Sequence, residues 1–155
     1  MGVYLNWAKL DPWFTLRMLF HLWHPNSPLS HPALTRRAFF GSAFPDDRVL
    51  PFQRQLCRYE SFWWPLTMMR PFATANAVLG GIDSAAVAKV LVMAGDEDAL
   101  MAPEVTLHTA AFYRSASNDD NVRVEFVKGA GHHLQNDVQW REGADRLLDW
   151  YKGLA

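Results

Sequence analysis

Two short apolar patterns in the second half of the chain predict strands. Residues 90–94 form a continuous apolar run that ends at Gly95, which is typical of a strand buried on both faces. Residues 122–126 alternate apolar side chains with Arg123 and Glu125, so this strand is expected to have one wetter face.

Each predicted strand is followed by a predicted helix. Pro103 and Glu104 are residue types that favour the first turn of a helix, and this helix is expected to run to Arg114. Residues 138–152 carry apolar side chains at helical spacing, and Asp137 is a plausible N-cap for them. The order strand, helix, strand, helix predicts an α/β fold in which a right-handed crossover places the two strands parallel and side by side.

The first half has a different pattern, in which prolines interrupt short apolar segments. Helices are predicted over residues 12–24, 30–40, 45–59, 60–69 and 71–79, with a kink at Pro51. The first of these is apolar around almost its whole circumference, as in helices that are buried or that touch a ligand. We therefore expect residues 1–82 to form a helical layer over an α/β unit made by residues 83–155.

Acidic residues and histidines follow the two predicted strands. Asp96, Glu97 and Asp98 come after the first strand, and His132 and His133 come after the second. Because the carboxyl ends of parallel neighbours meet at one edge of a sheet, a carboxylate and an imidazole are expected to lie together there. Such a carboxylate fixes the tautomer of the imidazole and stabilises the imidazolium that forms when the other ring nitrogen accepts a proton.

The two turns resemble the turns that carry the acid and the base of the catalytic triad in α/β-hydrolases. GDEDALM is similar to the family's Gly-x-x-Asp turn after the penultimate strand, and GAGHHLQND is similar to its Gly-x-Gly-His turn after the last strand. The resemblance covers residues 89–155 and implies that Asp98 is the triad acid and His132 the general base.

The resemblance also has implications for the first half. The phrases RAFF, YESFWW and PLTMM are similar to a capped, fungal-type branch of the family, so residues 1–82 would be a helical cap. The expected substrate is a small apolar ester, lactone or related molecule. Phe62, Trp63 and Trp64 are candidates to line an apolar pocket for it.

Neighbouring residues leave alternatives open. Asp96 is the main alternative to Asp98 as the acid, whereas Glu97 is expected to be solvated. His133 is the alternative base, although a structural role suits it better. A metal site made by His133 and Asp137 has no evident third ligand, and neither a metal nor a cofactor is expected.

A nucleophile is the missing member of the triad. The Gly-x-Ser-x-Gly elbow of the family does not occur in the 155 residues. Ser42 and Ser61 lie in the helical, cap-like first half without a preceding strand, and Cys57 has no identified base beside it. We therefore expect an inactive chain that is the cap and C-terminal part of a serine hydrolase. The alternative is a non-catalytic module whose aromatic first half binds a partner or an apolar ligand.

Composition narrows the expected partners and compartment. The chain has 15 Lys and Arg against 16 Asp and Glu, which gives no support to binding of nucleic acid. The aromatic stretch at residues 13–23 is interrupted by Arg17 and His21 and is shorter than the roughly 20 residues of a membrane span. One cysteine and no recognisable targeting signal favour the cytoplasm. With only two confident strands, self-association through an open sheet edge is expected.

Overall fold

The structure, a computed structural model, describes residues 9, 12, 13, 16, 31–56, 73–79, 90–116 and 121–154. Within these ranges the elements are α1 (Pro32–Phe39), α2 (Asp46–Gln53), α3 (Ala75–Leu79), β1 (Val90–Gly95), α4 (Pro103–Arg114), β2 (Val122–Val127), a 3-10 turn (Leu134–Asn136) and α5 (Trp140–Lys152). The described chain is therefore mixed α/β. The helix predicted over residues 60–69 lies outside the described residues, as does all of the helix at 12–24 except Pro12, Trp13 and Leu16.

Strands β1 and β2 form a two-stranded parallel sheet. Val90 pairs with Val122, and the register continues to Gly95 opposite Val127. Each strand is one residue longer than its predicted range, because the ladder includes the residue at which the apolar pattern ends. Parallel pairing in this register brings the turns after both strands to the same edge of the sheet.

Burial of β1 differs from the prediction. Residues 90–93 are only partly buried, and full burial begins at Ala94 and Gly95. A two-stranded sheet covers one edge of each strand, so the expectation of a strand buried along its length is wrong for the described residues. In β2 the exposed Arg123 and partly buried Glu125 give the expected wetter face.

Helix α4 begins and ends at the predicted residues. Pro103 lies in its first turn with Glu104, and the helix ends at Arg114. Thr106 and Ala110 are the buried positions of this helix, which packs against both β1 and β2. It therefore forms the crossover that the parallel pairing requires.

Helices α1 and α2 lie within the described residues 31–56. The Nδ1 atom of His31 accepts a hydrogen bond from the backbone N–H of Ala33 at 3.2 Å and so caps α1. The end predicted for α2, at residue 59, is wrong because the helix ends at Gln53. Pro51 lies inside α2 and has no N–H to donate to the preceding turn, which weakens the helix two residues before its end.

An aromatic cluster holds α1 and α2 together. Phe40 and Phe44 stack with ring centroids 3.6 Å apart, and Val49 of α2 is buried beside them. Phe39 and Phe52 pack around this pair. The described residues 31–56 thus contain two helices joined by a loop, as expected for this part of the first half.

Helix α3 is shorter than its predicted range of 71–79. It begins at Ala75, and the Thr74 hydroxyl oxygen accepts a hydrogen bond from the N–H of Ala77 at 3.2 Å. This side-chain acceptor takes one of the N–H groups that a helix leaves unpaired at its start, so the first turn forms at residue 75. No helix within the described ranges is long and apolar enough to cross a bilayer.

Helix α5 begins later than predicted and leaves its apolar side chains in solvent. It starts at Trp140 after a 3-10 turn, and its N-cap is Gln139, so the prediction of Asp137 as the N-cap is wrong. Its contact with the rest of the chain includes the buried Gly143, which faces Val127. The exposed apolar side chains of α5 are Trp140, Leu147, Leu148 and Tyr151.

We expect this exposed surface of α5 to make the purified chain self-associate, because burying apolar area is favourable by roughly 25 cal/mol per Å². Replacing Leu147 and Leu148 together by glutamate should lower the molar mass measured by light scattering after size exclusion. Asp145→Glu on the same helix is the control and should change nothing. A wild-type chain that stays monomeric at every accessible concentration would contradict the expectation.

Candidate acid–base site

Asp98 and His132 lie in contact at the carboxyl edge of the sheet. The Nδ1 atom of His132 is 2.9 Å from Oδ2 of Asp98. The Asp98 side chain is only 4% exposed, whereas that of His132 is 35% exposed. The pair thus consists of a buried carboxylate and an imidazole that reaches solvent, and the predicted contact between the two residues is present.

The other oxygen of Asp98 is fixed by the chain that follows it. Oδ1 accepts hydrogen bonds from the backbone N–H of Leu100 at 2.9 Å and of Met101 at 2.7 Å. These bonds stop rotation of the carboxyl group and leave Oδ2 directed at His132. Because an ionised carboxylate can only accept hydrogen bonds, the contact favours the tautomer of His132 that carries the proton on Nδ1 and leaves Nε2 as the basic nitrogen.

Close backbone contact brings the two turns together. The N–H of Glu97 donates to the carbonyl oxygen of Ala130 at 3.0 Å. A Cβ atom on Gly95 would lie 2.0 Å from that same oxygen, so no other residue fits there without movement. Gly129 has a φ of 72°, in the left-handed region that glycine adopts at little cost. Glycines therefore allow the approach that sets the distance between Asp98 and His132.

Asp96, the alternative acid, is engaged elsewhere. Its Oδ1 accepts a hydrogen bond from the backbone N–H of Gly129, in the turn that carries His132. The side chain thus links the two turns, while Asp98 contacts the imidazole. The geometry favours Asp98 over Asp96 as the acid.

Glu97 is exposed, as expected, and its carboxylate also makes specific contacts. Its carboxylate accepts hydrogen bonds from the backbone N–H of Ser42 and, at 3.0 Å, from the Ser42 hydroxyl. These two bonds, with a smaller contribution from the charge of Arg36, lower the pKa of Glu97 below its ordinary value. Glu97 therefore ties the loop after α1 to the turn that carries Asp98.

Asp137, which was predicted from the sequence to be an N-cap, has a buried carboxylate. It is 1% exposed, and its Oδ2 accepts hydrogen bonds from the N–H groups of Gly41 and Gly131, each at 2.8 Å. Its Oδ1 accepts from the N–H of Val138 at 2.7 Å. The side chain thus joins the loop after α1 to the turn that carries His132.

His133 faces away from Asp98 and into the aromatic cluster. Its ring lies 4.9 Å from that of Phe52 and 6.0 Å from that of Phe39. Its Nδ1 is 2.9 Å from the side-chain nitrogen of Asn136, which has hydrogens to donate. Burial, followed by repulsion from His132, lowers the pKa of His133 below its ordinary value, although the charge of Asp137 opposes the shift. This arrangement agrees with a structural role for His133.

We expect the environment of His133 to make stability depend on pH. Because the pKa of His133 is lowered in the folded state, the unfolded chain binds the proton more readily. The stability that neutral His133 contributes to the fold is therefore fully present only above the unfolded pKa near 6.5. It is lost as the pH falls from there through the lowered pKa. Urea unfolding at mildly alkaline and mildly acidic pH should show this loss in the wild type and a smaller one in His133→Gln. His108→Gln, on the exposed surface of α4, should keep the wild-type slope.

Several predicted site residues are not placed. Phe62, Trp63, Trp64, Ser61 and Cys57 lie outside the described residues. An aromatic side chain that the sequence reasoning did not single out, Phe39, has its ring centroid 6.0 Å from that of His132. The position of Phe39 could not be inferred from the periodicity of α1, because the contact depends on how the loop after α1 crosses the histidine turn.

The described residues define what the site can do chemically. The Ser42 hydroxyl is bonded to Glu97, and no contact between it and His132 is present in the described chain. No three His, Cys, Asp or Glu side chains gather there in a way that could hold a metal ion. The arrangement is a buried acid, an oriented imidazole and an adjacent aromatic ring, which together can accept and return a proton. Comparison of the chain with protein-family models, with curated proteins and with solved structures finds no significant match.

Proposed function

We propose that Asp98 and His132 are the acid and the general base of a serine-type α/β-hydrolase acting on a small apolar ester, lactone or related molecule. The observation that carries the proposal is the 2.9 Å contact between Oδ2 of Asp98 and Nδ1 of His132. Two backbone N–H groups hold the opposite oxygen of Asp98 and so fix the carboxylate. This is the arrangement that orients an imidazole for proton transfer at its other nitrogen.

In the proposed reaction the serine hydroxyl attacks the carbonyl carbon of the substrate while Nε2 of His132 takes the hydroxyl proton. Asp98 stabilises the imidazolium that forms. Collapse of the tetrahedral intermediate breaks the bond to the leaving alkoxide, which receives the same proton from Nε2. Water then attacks the acyl-serine with His132 again as the base, which releases the acid and restores the serine.

The nucleophile belongs to a second part of the proposed enzyme. Because the Gly-x-Ser-x-Gly elbow is not found in the 155 residues, we place the serine and the oxyanion hole in an upstream segment that adds strands to the sheet. In this scheme residues 1–82 are a helical cap and residues 83–155 are the C-terminal part of the catalytic domain. The two-stranded sheet supports the scheme, since parallel sheets normally have more strands covered on both faces.

The described part of the site supports an apolar substrate. The ring of Phe39 is partly buried and lies beside that of His132, so one wall next to the base is aromatic. Pockets that bind small molecules commonly combine such apolar walls with a few polar groups in fixed positions. Phe62, Trp63 and Trp64 remain candidates for the rest of the pocket.

The test is ester hydrolysis by a protein that joins the coding sequence upstream of Met1 to this chain. That sequence should contain a serine elbow, and the joined protein should hydrolyse a nitrophenyl ester. His132→Ala should abolish the hydrolysis, whereas His108→Ala, which changes an exposed histidine of α4, should not. Binding of apolar ligands without turnover would favour the non-catalytic alternative, and activity that survives His132→Ala would refute the role of the base.

A further inference from the structure

We propose that Asp137 is a positioning residue that fixes His132 against Asp98. The inference rests on the proposed function for its catalytic meaning, but the geometry that it concerns can be measured without catalysis. The three hydrogen bonds to its carboxylate come from three segments: the loop after α1 at Gly41, the histidine turn at Gly131, and the start of the last helical region at Val138.

The first step is the position of Gly131. This residue directly precedes His132, and its N–H donates to Oδ2 of Asp137 at 2.8 Å. The bond fixes the peptide group between Ala130 and Gly131, one residue before His132. Its removal would leave a buried N–H without an acceptor, which is costly. Asp137 therefore restrains the backbone from which the imidazole projects.

The second step is the loop after α1. The same oxygen, Oδ2, accepts from the N–H of Gly41, and the N–H of His133 donates to the carbonyl oxygen of Phe39 at 2.8 Å. A Cβ atom on Gly131 would lie 2.4 Å from the carbonyl carbon of Phe40, so the loop and the turn are in direct backbone contact. One carboxylate oxygen thus sets the position of the turn relative to the segment that carries Phe39.

The third step is a comparison with Glu97. Glu97 also accepts an N–H from the loop after α1, at Ser42, but within the described chain the hydrogen bonds of its side chain go to Ser42 and not to the histidine turn. It is exposed, whereas Asp137 is buried. If contact with the loop were sufficient to position His132, changes to Glu97 and Asp137 would have the same effect. The structure assigns the positioning role to Asp137 because, of the two carboxylates, that of Asp137 accepts the N–H of Gly131 and that of Glu97 does not.

The experiment uses the 155-residue chain uniformly labelled with nitrogen-15 and measures solvent exchange of the His132 Nδ1 proton by NMR. Asp137→Ala removes both acceptor oxygens, including the one that holds Gly41 and Gly131. It should raise the exchange rate by about tenfold or more, as expected for the loss of a buried hydrogen-bond acceptor. Asp137→Glu should restore part of the protection, and Glu97→Gln should leave the rate near the wild-type value.

A wild-type measurement covers the case in which Asp137→Ala does not fold. In urea below the unfolding transition, the Gly131 amide and the His132 Nδ1 proton should lose protection together. A His132 Nδ1 proton that stays protected after the Gly131 amide exchanges would overturn the proposal, as would normal protection in a folded Asp137→Ala. Neither result depends on ester hydrolysis, so failure of the hydrolase proposal would be seen separately.

Discussion

Asp98→Asn is expected to lower kcat/KM of the joined, serine-containing protein by about 10⁴-fold, with no loss of the fold. The Oδ1 position would still accept the N–H groups of Leu100 and Met101, so the side chain would keep its place. An amide nitrogen would then face Nδ1 of His132 and donate a hydrogen to it. The imidazole would carry its proton on Nε2, where it could no longer take the proton of a serine.

Asp96→Asn is the matched control for this prediction. Asp96 lies in the same turn and receives an N–H from Gly129, but Asp98 is the residue that contacts the imidazole. An asparagine oxygen can still accept that N–H, so most of the activity should remain. If Asp96→Asn produced the larger loss, the assignment of the acid to Asp98 would be wrong, although the fold would be unaffected.

Gly95→Ala is expected to destabilise the chain by about 3 kcal/mol or more, because overpacking against a rigid backbone is among the most costly single changes. The added Cβ would lie 2.0 Å from the carbonyl oxygen of Ala130 and 2.4 Å from its carbonyl carbon. Neither atom belongs to a flexible side chain that could move away. The two turns would have to separate, which would also part Asp98 from His132. Circular dichroism during urea unfolding measures the loss.

Gly143→Ala is the control for the effect of adding a methyl group to a buried glycine. Gly143 lies inside α5, and its added Cβ would meet side-chain atoms of Val127 at 3.6 Å and Leu134 at 3.9 Å, which are ordinary contacts. Alanine is the better helix former by about 1 kcal/mol. The variant should therefore be as stable as the wild type or more so, and a loss equal to that of Gly95→Ala would contradict the close-contact explanation.

Local patterns predicted the sheet and the crossover well. Both strands follow from runs of apolar residues, and the bounds of α4 follow from Pro103 and the length of its helical pattern. The parallel order of the strands predicted that a carboxylate and an imidazole would meet at one edge, and the resemblance of the two turns to those of α/β-hydrolases selected Asp98 and His132 among the candidates. These features depend on neighbours in sequence or on a rule of chain topology.

Contacts between distant segments could not be predicted in the same way. Asp137 stands before a helical pattern and looked like an N-cap, but its bond to Gly41 spans 96 positions of the chain. Glu97 and Ser42 are 55 positions apart, and no periodicity relates them. Gly131 could be recognised as a turn glycine, whereas its contact with the backbone of Phe40 required the folded chain. The positions of these residues depend on tertiary hydrogen bonds and close packing, which leave no local pattern in the sequence.

The tautomer of His132 tests the central claim most directly. Nitrogen-15 chemical shifts of its two ring nitrogens, measured for the neutral ring, show which nitrogen carries the hydrogen. The contact with Asp98 predicts a proton on Nδ1 and a bare Nε2, reversed in Asp98→Asn. A wild-type His132 with its proton on Nε2 would contradict the assignment of Asp98 and His132 as an acid–base pair.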